Sequence, residues 1–487
     1  MNNSDSFALL VLLISGVGLA AIFSNHVTAW IKIPAPALFL IAAAVAVKVF
    51  PTLHAPTLQA VVRVVTVALL FILFDGGMHI GWSRFRSAAG PIGVVGLPGT
   101  FLTVAAGAVL VHFAFHLAWY VALLVATAVA PTDPAVVFSV LGQREVSGRS
   151  GTILEGESGA NDPVGIALMA SLVTAGGFSS GTIGRVAGEF LIQMGVGASI
   201  GIVGGCALVW FIRHVPLPSE GLYPLRTAVG VLVLYGAATI AHGSGFLAVF
   251  LAGIVVGDIR APYKREVERF HSALASLSEI IAFVVLGLTV NLTELSRVDV
   301  WVPGLVLGAL LAFVIRPIMV GVCLIPAQLK RNERSFVLFA GLKGAVPLLL
   351  GISLLAAHVT GAPRLYGIVV VVVLFSVIVQ GCLVPGAARL LGIPTRDVEL
   401  EPWAIGVRLQ DEPDAVHQLV VGTGSQVEGR TIGSLSDDAG DAWVSLVVRD
   451  GQLLPMSGTT ILQAGDQVLI VGNGEVQDQL LEAFEER

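Results

Sequence analysis

The sequence Ala-Pro-Thr-Asp-Pro at residues 130–134 interrupts an apolar run that extends from residue 117 to residue 142. Its two prolines have no backbone N–H, and each disfavours helical geometry at the preceding residue. A second interruption, Gly-Leu-Lys-Gly-Ala-Val-Pro at residues 341–347, lies within the apolar run 334–358. Broken backbone inside a bilayer is stable only where it is buried in protein or lines a wet cavity. The sequence therefore predicts two discontinuous membrane helices that cross in the protein interior.

The composition of the chain is that of a membrane protein. Of its 487 residues, 55% are hydrophobic and 12% are charged, and the mean hydropathy is +0.88. Soluble proteins carry about 25% charged residues. The net charge of −6 leaves no basic surface for a nucleic-acid partner. The three cysteines have neither the spacing of a metal site nor that of a disulfide framework.

Apolar runs predict the number of membrane spans, since a helix needs about 20 largely apolar residues to cross the hydrocarbon core. Thirteen runs approach this length, at residues 7–24, 28–50, 58–80, 91–113, 117–142, 151–176, 188–213, 224–241, 243–258, 271–291, 302–326, 334–358 and 364–392. We therefore predict a polytopic α-helical membrane protein with thirteen transmembrane helices.

Basic residues predict the orientation of these spans, because cytoplasmic loops are enriched in Lys and Arg. One alternate set of loops is rich in such residues, and the other contains at most one per loop. The rich set contains Arg84 and Arg86; Arg144 and Arg149; Arg213 and Arg226; Arg260, Lys264, Arg265 and Arg269; Lys330, Arg331 and Arg334. The bias predicts a multi-pass protein of a bacterial inner membrane with its N-terminus outside and its C-terminus in the cytoplasm.

The spacing of the spans predicts an internal repeat. The third and tenth spans begin near residues 58 and 271, and the sixth and thirteenth near residues 151 and 364, so both pairs are offset by about 213 residues. The offset equals seven spans, an odd number, and the second copy is therefore inverted in the membrane. Inverted repeats are typical of secondary transporters, which bind substrate near the bilayer midplane where the repeats meet.

Charged side chains within spans are functional candidates, because each costs about 3 kcal/mol or more to insert. Asp133 and Lys343 lie in the two interruptions, where each is expected to compensate helix ends of opposite partial charge. The sixth span carries Glu157, and the eleventh carries Arg316. We expect these two residues to form a structural ion pair, which leaves Asp162 of the sixth span unpaired.

Asp162 is the expected exchange site. A desolvated carboxylate without a partner can hold a proton near neutral pH, or can release it and bind a small cation. Neutral oxygens of Thr132, Ser158 and Asn161 are placed to assist the cation. Because proton and cation exclude each other at one carboxylate, this arrangement predicts antiport.

Other function classes explain less of the sequence. A channel needs a filter of carbonyl-rich loops or charged rings, and an enzyme needs a nucleophile–base pair or a metal cluster; the sequence shows neither pattern. We therefore expect a transporter and not an enzyme, without a cofactor and without a metal beyond the transported ion. A receptor driven by the C-terminal tail stays an alternative, as does a packing role for Asp162, but both leave the matched interruptions unexplained.

Four separated motifs together resemble the NhaP/NHE branch of monovalent cation/proton antiporters. They are Thr-Asp-Pro at 132–134, Gly-Glu-Ser and Asn-Asp within 156–162, Arg-Pro at 316–317 and the interruption at 341–347. The resemblance implies that Asn161 and Asp162 form the exchange site and that Thr132 and Ser158 coordinate the ion. It also implies the Glu157–Arg316 pair, and it makes Asp75, near the inner end of the third span, an acid of the ion path.

The resemblance also bears on the ion and on assembly. Family members with Asn before the Asp are electroneutral, and Pro163 together with the tail resembles the bacterial potassium/proton subgroup. We therefore expect exchange of K⁺ for protons by a homodimer in the lipid membrane, with Na⁺ as the alternative ion. Lys343 stands where most relatives have Arg, and Asp75 where they have Glu, so the charge is kept at both positions.

The tail predicts a separate domain. We expect a transmembrane domain over residues 1–396, a linker over 397–404 and a small α+β domain over 405–487. Residues 444–448 and 467–471 read as strands, Asp450-Gly451 as a turn and 475–487 as a helix. The segment from 420 to 471 resembles the TrkA-C (RCK-C) regulatory domain, which implies a cytoplasmic, often dimeric sensor of a small ligand such as a nucleotide. A dimerisation module without a ligand is an equal alternative.

Overall fold

The computed structural model describes residues 12, 16, 34–50, 56–141, 144–146, 149–177, 181–259, 261, 263–327, 329–397, 416–438, 443–449, 452–454, 457–471 and 484. The chain divides into two compact units, Met1–Leu400 and Glu401–Arg487. Most of the first predicted span, most of the linker, the Asp450-Gly451 turn and most of the terminal helix lie outside the described residues.

The first unit is helical. Its described helices are α1 (Ala35–Val49), α2 (Leu58–Val94), α3 (Thr100–Phe115), α4 (Trp119–Val129), α5 (Pro134–Leu141), α6 (Arg149–Ala175), α7 (Thr182–His214), α8 (Leu222–Ile240), α9 (Gly245–Gly257), α10 (Lys264–Gly287), α11 (Leu292–Leu295), α12 (Val298–Leu310), α13 (Arg316–Cys323), α14 (Arg331–Phe339), α15 (Ala345–Ala356), α16 (Ala362–Leu374) and α17 (Gly381–Leu390). Strand β1 (Arg144–Val146) pairs antiparallel with β2 (Thr395–Asp397). Wide π-type turns at Val95–Gly99, Leu311–Ile315 and Phe375–Gln380 join α2 to α3, α12 to α13 and α16 to α17.

Six of the described helical segments are long and apolar enough to cross a membrane. They are Leu58–Phe115, Thr182–His214, Leu222–Ile240, Lys264–Gly287, Val298–Cys323 and Ala362–Leu390. The pair α4 and α5, bent by 42°, gives a seventh if it is one span. Helices occupy each of the second to thirteenth predicted runs, although α1, α9 and α15 are shorter than a full span. The helical membrane fold is confirmed, and the total of thirteen spans stays a prediction.

A glycine separates the third and fourth predicted spans within α2. Gly81 has φ +63°, a left-handed conformation that interrupts the helix. The carboxylate of Asp258, which follows α9, accepts a hydrogen bond from the backbone N–H of Ser83 and so caps the helix that restarts there. A Cβ at Gly81 would overlap that carboxylate. The break therefore depends on the absence of a side chain at this position.

The second unit contains a small antiparallel sheet, as the tail sequence predicts. Strands β3 (Val416–Val420), β4 (Trp443–Arg449), β5 (Gln452–Leu453) and β6 (Gln467–Val471) lie in the order β3-β6-β4-β5, and helix α18 spans Ile432–Asp438. Its core includes Val447, Leu462 and Val468, each with no exposed surface.

An ion pair with a buried carboxylate fixes the turn before β6. The Asp466 carboxylate is inaccessible to solvent and accepts hydrogen bonds from Arg449 Nε at 2.7 Å and from the Gln463 backbone N–H at 2.8 Å. Burial alone would raise the pKa of Asp466, but the hydrogen bonds and charge of Arg449 outweigh it and lower the pKa below its usual value. Because the pKa is lowered by folding, the pair stabilises the fold fully at any pH above the unfolded-state pKa of Asp. This stabilisation is lost as the pH falls through the lower pKa of the folded state.

We expect Asp466→Asn to destabilise the second unit by about 2 kcal/mol at neutral pH, because it leaves Arg449 without its buried partner. Hydrogen exchange of β4 and β6, followed by mass spectrometry on the full chain, measures the loss of protection. The difference from the wild type should shrink near pH 3. Glu428→Gln removes an exposed carboxylate of the same unit and should have less effect; equal effects would contradict the role of the pair.

We expect Gly81→Ala to lower the melting temperature of the detergent-solubilised protein by several degrees, equivalent to about 1–2 kcal/mol. The added methyl group meets the Asp258 carboxylate and a positive φ. Gly90→Ala, in the same helix with open space around its Cα, is the matched control and should be neutral or stabilising. An unchanged melting temperature in Gly81→Ala would show that the break does not require glycine.

Candidate functional site

The first interruption separates α4 from α5 at residues 130–133. Prolines 131 and 134 remove two backbone donors there. The backbone N–H of Asp133 instead donates to the carbonyl of Leu342, in the other interruption, at 2.8 Å. The Asp133 carboxylate accepts from the backbone N–H of Ala135 at 2.8 Å, at the start of α5. Asp133 thus lies at the positive end of the α5 helix dipole.

The second interruption separates α14 from α15 at residues 340–344. Lys343 is 5% exposed, and its Nζ donates to the carbonyl of Ala130 at 2.8 Å. That carbonyl follows the last turn of α4, so the ammonium lies at the negative end of the helix dipole. A Cβ at Gly344 would overlap the Asp133 carboxylate. Close approach of the two interruptions therefore requires glycine here.

Side chains of α6 bond to the first interruption around Thr132. Asn161 Nδ2 donates to Thr132 Oγ1 at 2.8 Å, and Asn161 Oδ1 accepts from the Thr132 backbone N–H at 3.3 Å. The Ser158 hydroxyl donates to the Thr132 carbonyl. The oxygens of Thr132, Ser158 and Asn161, expected from the sequence to act together, therefore lie in one buried group.

Asp162 is 7% exposed, and its Oδ1 has no hydrogen-bond partner among the described residues. The charges that act on it are those of Asp133 and Lys343. The Lys343 ammonium is hydrogen-bonded to the Ala130 carbonyl and not to the Asp162 carboxylate. Its positive charge nevertheless favours the ionised form of Asp162. Asp162 thus has the repelling charge of Asp133 and the attracting charge of Lys343 nearby, and an acceptor oxygen without a described partner.

Glu157 and Arg316 form a bidentate ion pair. Arg316 Nη1 and Nη2 donate to the two Glu157 oxygens at 2.7 and 3.0 Å, and both residues are at most 5% exposed. Arg316 also donates to the carbonyls of Leu338 at 3.1 Å and Val337 at 3.3 Å, in the last turn of α14. The pair therefore fixes α6 to the end of the second broken helix.

Asp75 belongs to a different group of contacts. Its Oδ1 accepts from Ser272 Oγ on α10 at 3.0 Å, and its Oδ2 lies 3.4 Å from His79 Nδ1. None of the hydrogen bonds recorded for the described residues joins Asp75 to Thr132 or Asp162. Among the described residues, the contacts of Asp75 are thus with α10 and with its own helix, while the other predicted site residues are linked through the two interruptions and α6.

Sequence reasoning missed three polar residues near the crossing. Ser376 Oγ accepts from the Lys343 backbone N–H at 3.0 Å and donates to Gln380 Oε1 at 3.0 Å, while Gln380 Nε2 donates to the Phe339 carbonyl at 2.6 Å. This chain of bonds satisfies backbone at both ends of the second interruption. The third residue is Glu279 in α10, a lone carboxylate in an apolar run and thus visible in the sequence.

No cluster of three or more potential metal ligands occurs among the described residues.

Family comparison gives two matches along the chain. Residues 15–389 match the transmembrane domain of sodium/hydrogen exchangers, and residues 416–485 match the TrkA-C domain. Both resemblances drawn from the sequence motifs are therefore confirmed.

Named relatives extend this result. The chain is 32% identical over 430 residues to the K(+)/H(+) antiporter NhaP2 of Shewanella sp. strain MR-4, covering 86% of this chain and 72% of that protein. It is 34% identical over 328 residues to the K(+)/H(+) antiporter NhaP of Alkalimonas amylolytica, covering 67% and 57%. It is 27% identical over 345 residues to the Na(+)/H(+) antiporter NhaH of Halobacillus dabanensis, covering 68% and 83%.

Among solved structures, the sodium proton antiporter MjNhaP1 of Methanocaldococcus jannaschii has a similar fold. The TM-score is 0.65 at 21% identity, with 78% of this chain and all of that chain covered. At this identity the likeness establishes the shared fold.

We expect Glu157→Gln and Arg316→Met to destabilise the protein by about 3–5 kcal/mol each, because each leaves a buried charge unpaired. The double variant should be more stable than either single one, since it removes both charges. Glu155→Gln, two residues away in a pair with Arg84 that is partly exposed, is the control and should cost about 1 kcal/mol or less. Melting temperatures in detergent provide the measurement, and additive losses in the double variant would contradict the pairing.

Proposed function

Because the chain belongs to the sodium/hydrogen exchanger family and therefore exchanges a monovalent cation for protons, we propose that Asp162 is the carboxylate at which cation and proton compete. The observation that carries this proposal is the buried Oδ1 of Asp162, which has no hydrogen-bond partner among the described residues. A buried carboxylate oxygen is costly to leave unsatisfied. A proton or a cation removes that cost, and one excludes the other.

The neighbouring oxygens suit a cation that has lost part of its water. The carbonyl and hydroxyl oxygens of Thr132 and the hydroxyl of Ser158 are fixed by hydrogen bonds to one another and to Asn161. Each oxygen keeps a further lone pair for an ion. Potassium and sodium ions both bind such oxygen ligands, so this group can complete the coordination that Asp162 begins.

Exchange at one carboxylate is electroneutral. Asp162 with a proton and Asp162 with a monovalent cation carry the same charge, and Lys343 is bonded to the Ala130 carbonyl. The lysine therefore lowers the cost of the ionised carboxylate that exists between the two occupied states. One proton is exchanged for one cation in this mechanism.

We assign K⁺ as the favoured cation. The relatives named as K(+)/H(+) antiporters are 32–34% identical to this chain, whereas the one named as a Na(+)/H(+) antiporter is 27% identical. Sodium/proton exchange by the same fold is the second candidate, supported by that last relative.

In this proposal the protein crosses the membrane thirteen times, and the spans form an inverted repeat. Its N-terminus lies outside the cell and its tail in the cytoplasm. Two observations support the repeat: the interruptions occupy corresponding positions, and they bond to each other through Asp133 and Lys343. The protein acts as a homodimer in this proposal. The TrkA-C domain regulates transport by binding a small ligand of the nucleotide type.

We expect the wild-type protein in liposomes to dissipate an imposed pH gradient when K⁺ is added, with no change when the membrane potential is clamped. Asp162→Asn should abolish exchange, because an amide cannot alternate between proton and cation. Asp299→Asn, an exposed carboxylate paired with Arg297, is the matched control and should exchange normally. The measurement uses an internal pH-sensitive dye.

The alternatives predict different results. Dissipation by Na⁺ alone would keep the mechanism and overturn the assignment of K⁺. Exchange that persists in Asp162→Asn would show that Asp162 is not the exchange carboxylate, and Asp133 and Asp75 would be the next residues to test. A response to the clamped potential would contradict the one-for-one stoichiometry.

A further inference from the structure

Glu279 is a second membrane-embedded carboxylate that the exchange mechanism above does not use. It lies in α10, within the stretch Ser-Glu-Ile-Ile-Ala-Phe at residues 278–283. Its Oε1 is buried and has no hydrogen-bond partner among the described residues. Among the described residues, two carboxylate oxygens are buried without a hydrogen-bond partner: Oε1 of Glu279 and Oδ1 of Asp162. A charge placed so is costly, and none of the ion pairs among the described residues includes Glu279.

Glu279 lies on the same face of α10 as Ser272, the residue that contacts Asp75. Seven residues correspond to two helical turns less about 20°, so Ser272 and Glu279 share one face, about 10 Å apart along the axis. Ser272 donates to Asp75 at 3.0 Å. This face therefore continues from the acid near the inner end of the third predicted span toward the middle of the membrane unit.

Glu279 also acts electrostatically on the crossing. Helix α10 packs against α15, which begins at the second interruption. The charge that acts on Glu279 is that of Asp133, and Asp133 in turn acts on Asp162. Asp133 is fixed by the backbone of α5. Glu279 thus shares a helix face with the partner of Asp75, on a helix that packs against the crossing, and its Oε1 has no hydrogen-bond partner among the described residues.

We propose that Glu279 attracts the monovalent cation on its way to Asp162 and thereby sets the apparent affinity of the transporter for it. The inference rests on the proposed exchange at Asp162. A partly dehydrated cation near Glu279 relieves the cost of the buried carboxylate and finds an acceptor oxygen that no described group occupies. Asp162 then takes the cation when it releases its proton. Glu279 raises the local cation concentration and is not itself the group at which proton and cation compete.

The test separates affinity from maximal rate. Exchange by wild type, Glu279→Gln and Glu279→Asp is measured in liposomes over a series of K⁺ concentrations. Loss of the charge should raise the apparent KM for K⁺ about tenfold, which corresponds to about 1.4 kcal/mol of cation attraction, with a maximal rate within about twofold of the wild type. Glu279→Asp, which keeps the charge, should restore most of the affinity.

Glu268→Gln is the matched control. Glu268 lies on the same helix, is 43% exposed and pairs with Lys264, so the same change of charge there should leave the KM unchanged. A KM in Glu279→Gln equal to that of the wild type would overturn the proposal. So would exchange that is absent at every K⁺ concentration in a variant with the wild-type melting temperature, because Glu279 would then be an exchange group.

Two further outcomes are distinguishable. If Glu279→Gln does not fold, Glu279→Ser replaces it as the variant without the charge: a KM raised about tenfold supports the proposal, and a KM equal to that of the wild type overturns it. Failure of the exchange site shows elsewhere, as persistent exchange in Asp162→Asn, whatever Glu279 does.

Discussion

The two interrupted helices are joined through their backbones, and the position of every residue around Asp162 depends on that crossing. The Asp133 N–H donates to the Leu342 carbonyl, and the Lys343 ammonium donates to the Ala130 carbonyl. Four helix ends meet inside an apolar unit, where unsatisfied N–H and C=O groups have no water to bond. The crossing is stable because each interruption supplies the charge or the backbone partner that the other lacks.

The crossing also explains the surrounding glycines and polar side chains. Gly344 admits the Asp133 carboxylate, and a Cβ at Gly341 would overlap the Arg316 guanidinium. Arg316 in turn binds the last carbonyls of α14, while Gln380 binds that of Phe339. Stability and site geometry are therefore produced by the same contacts. The Asp162 side chain stands apart, since its Oδ1 takes no part in them.

The sequence allowed the helical membrane fold, both interruptions and the group around Thr132 to be predicted, because prolines and lone charges in apolar runs have few structural explanations. Glu157 and Arg316 could be paired as charges of opposite sign without partners on their own helices. Other features depend on neighbours that a sequence does not reveal. The break at Gly81 is stabilised by Asp258, 177 positions away, and the roles of Ser376 and Gln380 follow from backbone groups exposed by a distant interruption. The contact of Asp75 with Ser272 of α10 likewise appears only in three dimensions.

Several of the hydrogen-bond acceptors at the crossing belong to the main chain. The carbonyls of Ala130, Thr132 and Leu342 are present whatever side chain stands at those positions, so substitution cannot remove them. A substitution can then change these acceptors only by changing how the chain bends, whereas the oxygens of the Asp162, Thr132, Ser158 and Asn161 side chains depend on the residue itself. Such a transporter can keep its chemistry through extensive sequence drift, as long as its prolines and glycines preserve the path of the backbone.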